Sequence, residues 1–185
     1  MNTAAVSPTR MLTAAVVGAA LSLLGCGQRA AALPPGFPDL DSFGPVAVDG
    51  YIATGPKGPR RFVAFSTPYN IQCGFTATED PLPAGKSQAI HCEGDIPGVA
   101  SGPSITESCA TGVVNSLGAA GFRVERQLSG CPVGSYNAGT PLGVGQKLTY
   151  QNVTCAVGGD GLVACLDTSL GQHGFALKPS GNVTF

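Results

Sequence analysis

The residues of this 185-residue chain whose type and spacing point most clearly to chemistry are its seven cysteines. Cys26 stands apart near the N-terminus, and the others lie between Cys73 and Cys165. The remaining even number of cysteines predicts disulfides if the chain is exported. Metal binding is the alternative, but it favours two close pairs such as C-x2-C, and the shortest gap here runs from Cys155 to Cys165. The sequence therefore predicts three disulfides and no metal site.

The turns between the cysteines predict how they pair. The segment Gly159-Asp160-Gly161 suits a three-residue hairpin loop that sets the last two cysteines opposite each other, within disulfide range. A longer loop over residues 80–85 does the same for the first two. The middle two then remain for each other. The expected disulfides are Cys73–Cys92, Cys109–Cys131 and Cys155–Cys165.

The two histidines are the other candidates, because imidazole is the side chain that ordinarily changes charge near neutral pH. His91 lies four residues before Asp95, so a His–Asp pair could orient its ring. On a strand, however, His91 points away from Cys92, which favours a surface position. His173 lies among glycines, and we expect it to hydrogen-bond a nearby carbonyl and fix a tight turn. No nucleophile motif, acidic cluster or phosphate loop accompanies them, so the sequence assigns no catalytic residue.

Two loops rich in glycine and proline, 94–103 and 132–141, are candidates for recognition. Loops held by disulfides on a rigid scaffold often carry binding residues. Tyr136 and Asn137 form an amphipathic pair that can make contacts at low entropic cost. The hypothesis is that this loop recognises a protein or glycan of the cell envelope, and the alternative is an unengaged connector.

The N-terminus is typical of an export signal. Residues 1–10 are polar, and residues 11–25 form an uncharged apolar run that is short for a spanning helix and right for a signal-peptide core. The run ends in Leu23-Leu24-Gly25-Cys26, which looks like a bacterial lipobox with cleavage after Gly25 and acylation of Cys26. Acyl chains on Cys26 would hold the protein at the outer face of the cytoplasmic membrane or in the envelope. Ordinary cleavage without a lipid is the alternative.

Composition limits the remaining classes. A charged fraction of 11% and a net charge of −1 exclude an electrostatic nucleic-acid binder, and 27 glycines with 15 prolines exclude a helical bundle. A hydrophobic fraction of 43% argues against disorder. The predicted organisation is a signal peptide over residues 1–25, a lipidated cysteine with a flexible Pro/Gly tether over 26–45, and a single β domain over 46–185.

Segments rich in β-branched and aromatic residues, bounded by Gly, Pro or Asn, predict the strands. They are Val46–Thr54, Arg61–Thr67, Asn70–Ala77, Gln88–Glu93, Glu107–Asn115, Phe122–Leu128, Gln146–Val157, Leu162–Asp167, Gly174–Lys178 and Asn182–Phe185. Residues 104–117 also fit a short capped helix, but their glycine and β-branched residues favour a strand. We therefore expect an all-β fold, a small antiparallel sandwich or barrel-like meander of hairpins stapled by three disulfides.

Two stretches of the chain resemble a known group of proteins. Phe65–Cys73, which reads FSTPYNIQC, resembles the opening of small secreted proteins and lipoproteins of actinobacteria, especially mycobacteria. Residues 142–155, Gly161–Cys165 and Gly171–Leu177 resemble the ending of the same group, with its paired cysteines and a motif like GHGF. The similarity covers residues 62–185. It implies an exported location and this type of fold rather than a mechanism.

These expectations combine into one predicted function. The protein would be a lipid-anchored module of the cell envelope that has a binding or structural role rather than a catalytic one. It would use no cofactor. Its partners would be the membrane, through the lipid, and an unidentified envelope protein or glycan, but not nucleic acid. The alternatives are a secreted hydrolase that uses a histidine, or an inhibitor of a cell-wall hydrolase such as lysozyme.

Overall fold

A computed structural model describes residues 32–54, 61–75, 90–99, 102–103, 108–130 and 139–185. The predicted all-β class is confirmed, since these residues form fourteen strands and, besides them, three short 3-10 helices. The strands are β1 (Gly44–Val46), β2 (Ile52–Thr54), β3 (Arg61–Ser66), β4 (Ile71–Phe75), β5 (Ile90–Gly94), β6 (Gly102–Pro103), β7 (Ser108–Ser116), β8 (Phe122–Gly130), β9 (Thr140–Pro141), β10 (Gln146–Tyr150), β11 (Val153–Val157), β12 (Val163–Asp167), β13 (His173–Leu177) and β14 (Val183–Thr184). The 3-10 helices are Leu40–Ser42, Val48–Tyr51 and Gly118–Ala120.

One sheet has six strands in the order β1-β10-β11-β12-β13-β14. Strands β10 to β14 form an antiparallel meander, and β1 joins its edge parallel to β10. The single strand predicted over Gln146–Val157 is wrong, because the chain reverses at residues 151–152 and pairs Tyr150 with Val153. Gln151 makes this reversal possible by adopting a left-handed backbone with φ of 53°.

The other sheet has eight strands along the path β2-β3-β4-β5-β7-β6, with β8 paired to β7 and β9 paired to β3. Strands β7 and β8 form a long hairpin around the 3-10 helix Gly118–Ala120. The strand that we favoured over a helix within residues 104–117 is confirmed for Ser108–Ser116. Residues 104–107 lie outside the described part of the chain.

The two sheets pack on one shared hydrophobic core. Aromatic side chains bridge them: Phe75 lies 6.5 Å from Tyr150 between ring centroids, and Phe122 meets Phe175 edge to face at 5.3 Å. The sandwich form of the prediction is therefore the one that the structure adopts, and each sheet presents one face to the core and one outer face.

Two of the predicted disulfides are confirmed, one in each sheet. Cys73–Cys92 joins β4 to β5, and Cys155–Cys165 joins β11 to β12, each between directly opposed residues. Cys109 is also disulfide-bonded, but Cys131 lies outside the described residues, so the third pairing stays a prediction. Disulfides of this kind persist in oxidising compartments, which indicates that the domain matures outside the cytoplasm.

An N-terminal strap, residues 33–43, crosses the outer face of the six-stranded sheet. Leu40 is buried, and its carbonyl accepts a hydrogen bond of 2.9 Å from the Lys147 ammonium on β10. At the far side of the sheet, the Lys178 ammonium donates to the Gly36 carbonyl. These two contacts hold the strap at two points on opposite sides of the sheet.

Small side chains on the sheet allow this close approach. The outward positions at the centre of the six-stranded sheet form a row of directly paired alanines that are fully buried: Ala156, Ala164 and Ala176. The packed part of the domain therefore extends N-terminal of Val46, into the segment that the sequence assigns to the flexible tether.

Candidate functional site

Several residues predicted to have functional roles lie outside the described part of the chain. They are the lipidation site Cys26, the recognition pair Tyr136 and Asn137, and Cys131. The candidate site is therefore built from the outward side chains of the eight-stranded sheet, which includes His91.

A row of polar side chains, which we call the polar ladder, crosses the outer face of this sheet. Alternation along each strand produces it, because β4 and β5 bury every second residue and turn the others outward. As the sequence predicts, His91 points away from the buried Cys92. The ladder consists of Gln72 on β4, His91 and Glu93 on β5, Asn115 on β7 and Glu125 on β8.

Hydrogen bonds join the ladder residues into two groups, Gln72 with Glu93 and His91 with Asn115 and Glu125. The Gln72 amide donates to Oε1 of Glu93, which lies directly opposite it on the neighbouring strand. Nδ1 of His91 lies 2.9 Å from Oδ1 of Asn115, also a directly opposed pair. The Asn115 amide nitrogen in turn donates to Oε1 of Glu125 over 2.8 Å. Each side chain therefore has its orientation set by a neighbour.

This chain of contacts fixes the tautomer of neutral His91. A carboxylate only accepts hydrogen bonds, so the NH2 group of Asn115 faces Glu125 and its oxygen faces the imidazole. Nδ1 of His91 must then carry the proton and donate it. Nε2 is left with a lone pair, directed towards Oε2 of Glu93 at a distance of 3.8 Å.

The outer-face pocket lies beside the ladder and has a volume of about 300 Å³. The described residues lining it are Ala53, Phe62, Ala64, Gln72, Cys73, Gly74, His91, Glu93 and Gly139. Its floor is open because the opposed residues Ala64 and Gly74 have almost no side chain. Most of the wall is apolar, and one edge carries the polar ladder. The side chains of His91 and Glu93 are 39% and 33% exposed, so solvent reaches this edge.

The framework around the pocket is held by covalent and backbone contacts. The disulfide Cys73–Cys92 fixes β4 against β5 and so keeps Gln72 opposite Glu93. At the end of β5, Gly94 has a φ of +135°, and a Cβ there would lie 2.1 Å from the Asn70 carbonyl oxygen. Glycine is therefore required where the end of β5 closes against the start of β4.

A second set of contacts holds the β9 edge of the pocket. The Tyr51 hydroxyl donates to the Pro141 carbonyl over 3.1 Å, and the Thr140 hydroxyl donates to the Gly50 carbonyl over 2.6 Å. Burial raises the pKa of the Tyr51 phenol above its ordinary value, because a phenolate would lose hydration there. The phenol therefore remains a hydrogen-bond donor at neutral pH.

The histidine roles predicted from the sequence change in the structure. The possible His91–Asp95 pair is wrong, because Oδ2 of Asp95 accepts a hydrogen bond of 2.7 Å from Asn70 while His91 pairs with Asn115. His173 is the first residue of β13. We expected it to fix the turn before it, but the hydrogen bonds in this turn are made by Asp167. Oδ1 of Asp167 accepts from both the backbone and the hydroxyl of Ser169.

The described lining of the pocket combines an apolar wall with two oriented polar side chains. Its described lining contains no hydroxyl beside His91, and the sulfur of Cys73 is in a disulfide. Among the described residues, no group of three or more His, Cys, Asp or Glu side chains is placed to hold a metal ion. What the site offers is a rigid apolar cavity with an oriented carboxylate and an oriented imidazole at one edge.

Sequence reasoning found His91 but missed its partners. Gln72, Glu93, Asn115 and Glu125 each occupy an outward position of a strand, and alternation alone predicts a surface residue there. Their convergence depends on the register of four strands. One of these contacts could have been predicted from the sequence. Gln72 comes directly before Cys73, and Glu93 comes directly after Cys92. If the two cysteines are paired across antiparallel strands, Gln72 and Glu93 lie opposite each other.

Comparison with known proteins adds no family to this description. The chain matches no protein-family model, no curated protein and no solved structure. The resemblance to actinobacterial secreted proteins therefore stays a prediction. In the described part of the chain, no helix has the length and apolar character needed to cross a membrane.

Proposed function

We propose that this protein is a lipid-anchored binding module of the cell envelope, and that its outer-face pocket holds the ligand. The observation that carries the proposal is the combination of an apolar cavity and a hydrogen-bonded polar edge on a disulfide-fixed sheet. Ligand sites are typically concave and mostly apolar, with a few oriented polar groups that set specificity. A volume of about 300 Å³ lies at the small end of the usual range for such sites.

Rigidity supports binding as the role of this surface. Every polar side chain of the ladder is oriented by a hydrogen bond before any ligand arrives. A preorganised site loses less conformational entropy on binding than a flexible one. The anchor rests on the lipobox-like sequence ending at Cys26, and the extracytoplasmic location is supported by the disulfides.

Filling the pocket tests the binding role. Ala64→Leu places a larger side chain on the pocket floor, and Thr149→Leu adds the same side chain at an exposed outward position of the six-stranded sheet. We expect the immobilised wild type and Thr149→Leu to retain the same small molecules from an envelope extract, detected by mass spectrometry. Ala64→Leu should lose them. Equal retention by all three proteins, or retention by none, would contradict the proposal.

The anchor has a separate test. Intact-mass measurement of protein from the membrane fraction should show cleavage before Cys26, the added mass of acyl chains, and the loss of six hydrogens that three disulfides require. Cys26→Ser should lose the acyl mass and, because cleavage of a lipobox depends on the modified cysteine, retain the mass of residues 1–25. Finding the unmodified mature chain in the membrane fraction would exclude lipidation.

A further inference from the structure

The polar edge of the outer-face pocket presents two hydrogen-bond acceptors that face each other. One is Nε2 of His91, whose lone pair is exposed because Nδ1 donates to Asn115. The other is Oε2 of Glu93, whose companion oxygen already accepts from Gln72. The two atoms lie 3.8 Å apart, too far to share a hydrogen bond directly and both without a proton in the neutral-imidazole state.

Two such acceptors are satisfied together by one donor that carries at least two hydrogens. A nitrogen placed about 2.9 Å from each atom would donate to both. A hydroxyl has one hydrogen and can satisfy only one of the two acceptors, and a carboxylate has none. Among the head groups that an organic ligand can carry, the geometry therefore favours a nitrogen donor; a water molecule, which also has two hydrogens, can bridge the two acceptors when no ligand is bound.

The negative charge of the pocket edge also favours a nitrogen donor. With neutral His91, Glu93 is the ionised residue among the described lining residues, so the pocket edge carries a formal charge of −1. Among the described residues, Glu125 and Arg123 lie on β8, beyond Asn115 and two strands away from Glu93, and the carboxylate of Asp95 accepts a hydrogen bond from Asn70. A cationic donor against Glu93 would make a charge-assisted hydrogen bond, which is stronger than a neutral one.

Resting on the proposed binding role of the pocket, we propose that its ligand is a small molecule with a primary ammonium head and a compact apolar body. The ammonium bridges Oε2 of Glu93 and Nε2 of His91. The apolar body lies over Ala64 and Gly74 and contacts Phe62. The ladder residues Gln72 and Asn115 act as positioning residues, because they hold the carboxylate and the imidazole in the bridging geometry.

The test uses three probes that share one apolar body and differ in the head group: phenethylamine, phenethyl alcohol and hydrocinnamate. Each is titrated into isotope-labelled protein in phosphate buffer, and binding is followed by the amide resonances of residues 62–64, 72–74 and 91–93. We expect the amine to bind about tenfold more tightly than the alcohol, the size expected of a charge-assisted contact. The carboxylate should bind most weakly.

Two substitutions separate the bridging carboxylate from general charge. Glu93→Gln keeps the acceptor for Gln72 but removes the negative charge, so it should abolish the preference for the amine while leaving the alcohol unchanged. Asp95→Asn removes a negative charge two residues from Glu93, at a side chain outside the described pocket lining that pairs with Asn70, and should leave the preference intact. Amide dispersion in the unliganded spectra confirms that both variants are folded.

The outcomes distinguish this inference from the proposed function. If the alcohol or the carboxylate shifts the pocket resonances at concentrations as low as the amine does, the ammonium inference is overturned and pocket binding survives. If Asp95→Asn abolishes the preference as fully as Glu93→Gln, the bridge is overturned in favour of a diffuse charge effect. If none of the probes shifts the pocket resonances, both the inference and the assignment of this pocket as the ligand site fail.

Discussion

The two sheets share one core and differ in what lies on their outer faces. The six-stranded sheet is covered by the strap, and its central outward residues are alanines with no exposed surface. The eight-stranded sheet presents the polar ladder, whose His91 and Glu93 side chains are 39% and 33% exposed. One outer face is therefore packed as a second interior, whereas the other carries partly exposed polar side chains in the described part of the chain.

This difference indicates where function can reside. A face covered by its own chain contributes mainly to stability, because its central side chains are buried. On the open face, polar side chains are held in hydrogen bonds around a cavity that nothing in the described chain fills.

The most direct test of the difference between the two outer faces is to place the same polar residue on each of them. Ala164→Gln puts an amide in the fully buried row beneath the strap, and we expect it to lower the free energy of unfolding by about 3 kcal/mol, from overpacking and an unsatisfied polar group. Ala64→Gln on the open face should cost less than about 1 kcal/mol. Urea denaturation measures both. Similar losses for the two variants would show that the faces are equivalent.

The strap itself can be loosened at its buried anchor. Leu40→Ala removes a buried side chain, and we expect a loss of about 2 kcal/mol in the free energy of unfolding together with faster proteolysis near residues 33–43. Leu128→Ala is the matched control, since Leu128 is 58% exposed and its truncation should change stability by less than about 0.5 kcal/mol. Unchanged proteolysis in Leu40→Ala would show that Leu40 does not hold the strap on the sheet.

The open face can be tested through the ring of His91. Long-range proton–nitrogen spectra should show the neutral imidazole protonated on Nδ1, because Asn115 accepts from that nitrogen. Asn115→Ala should convert this single tautomer into a mixture without unfolding the protein. Gln72→Ala removes a different ladder residue and should leave the tautomer unchanged. An Nε2-protonated ring in the wild type would contradict the hydrogen bond from Nδ1 of His91 to Asn115.

The smallest expected effect concerns Tyr51, which lies at the junction between the two sheets. Because burial raises its pKa in the folded state above the ordinary value of 10.0, the folded protein holds this proton more tightly than the unfolded chain. Its contribution to stability is therefore complete below pH 10 and is lost as the pH rises through the higher folded-state pKa. Wild type should lose more stability than Tyr51→Phe between pH 9 and pH 11 in urea denaturation. Equal losses would contradict the assigned burial effect.

The sequence was sufficient for the parts of the fold that depend on local pattern. Alternation and turn residues placed most of the strands, and the hairpin at Gly159–Gly161 predicted the disulfide Cys155–Cys165, which the structure confirms. The reversal at Gln151 was missed, because glutamine gives no signal for a left-handed backbone. The strap was missed because its prolines and glycines are as typical of a tether as of a chain lying across a sheet.

The candidate site was less predictable for a physical reason. Its polar ladder needs Gln72, Glu93, Asn115 and Glu125 to meet across four strands, and each contact depends on strand register rather than on neighbours in sequence. His91 was recognised as a surface residue, but the sequence offered Asp95 as its partner. In the structure, Asp95 accepts a hydrogen bond from Asn70, and His91 is hydrogen-bonded to Asn115.

The central claim is that the outer face of the eight-stranded sheet is the binding surface. Amide chemical shifts of the isotope-labelled protein, recorded before and after addition of a small-molecule envelope extract, test it most directly. We expect changes at residues 62–64, 72–74 and 91–93, with the strap and the alanine row unaffected. Changes confined to the six-stranded sheet or to the strap would contradict it.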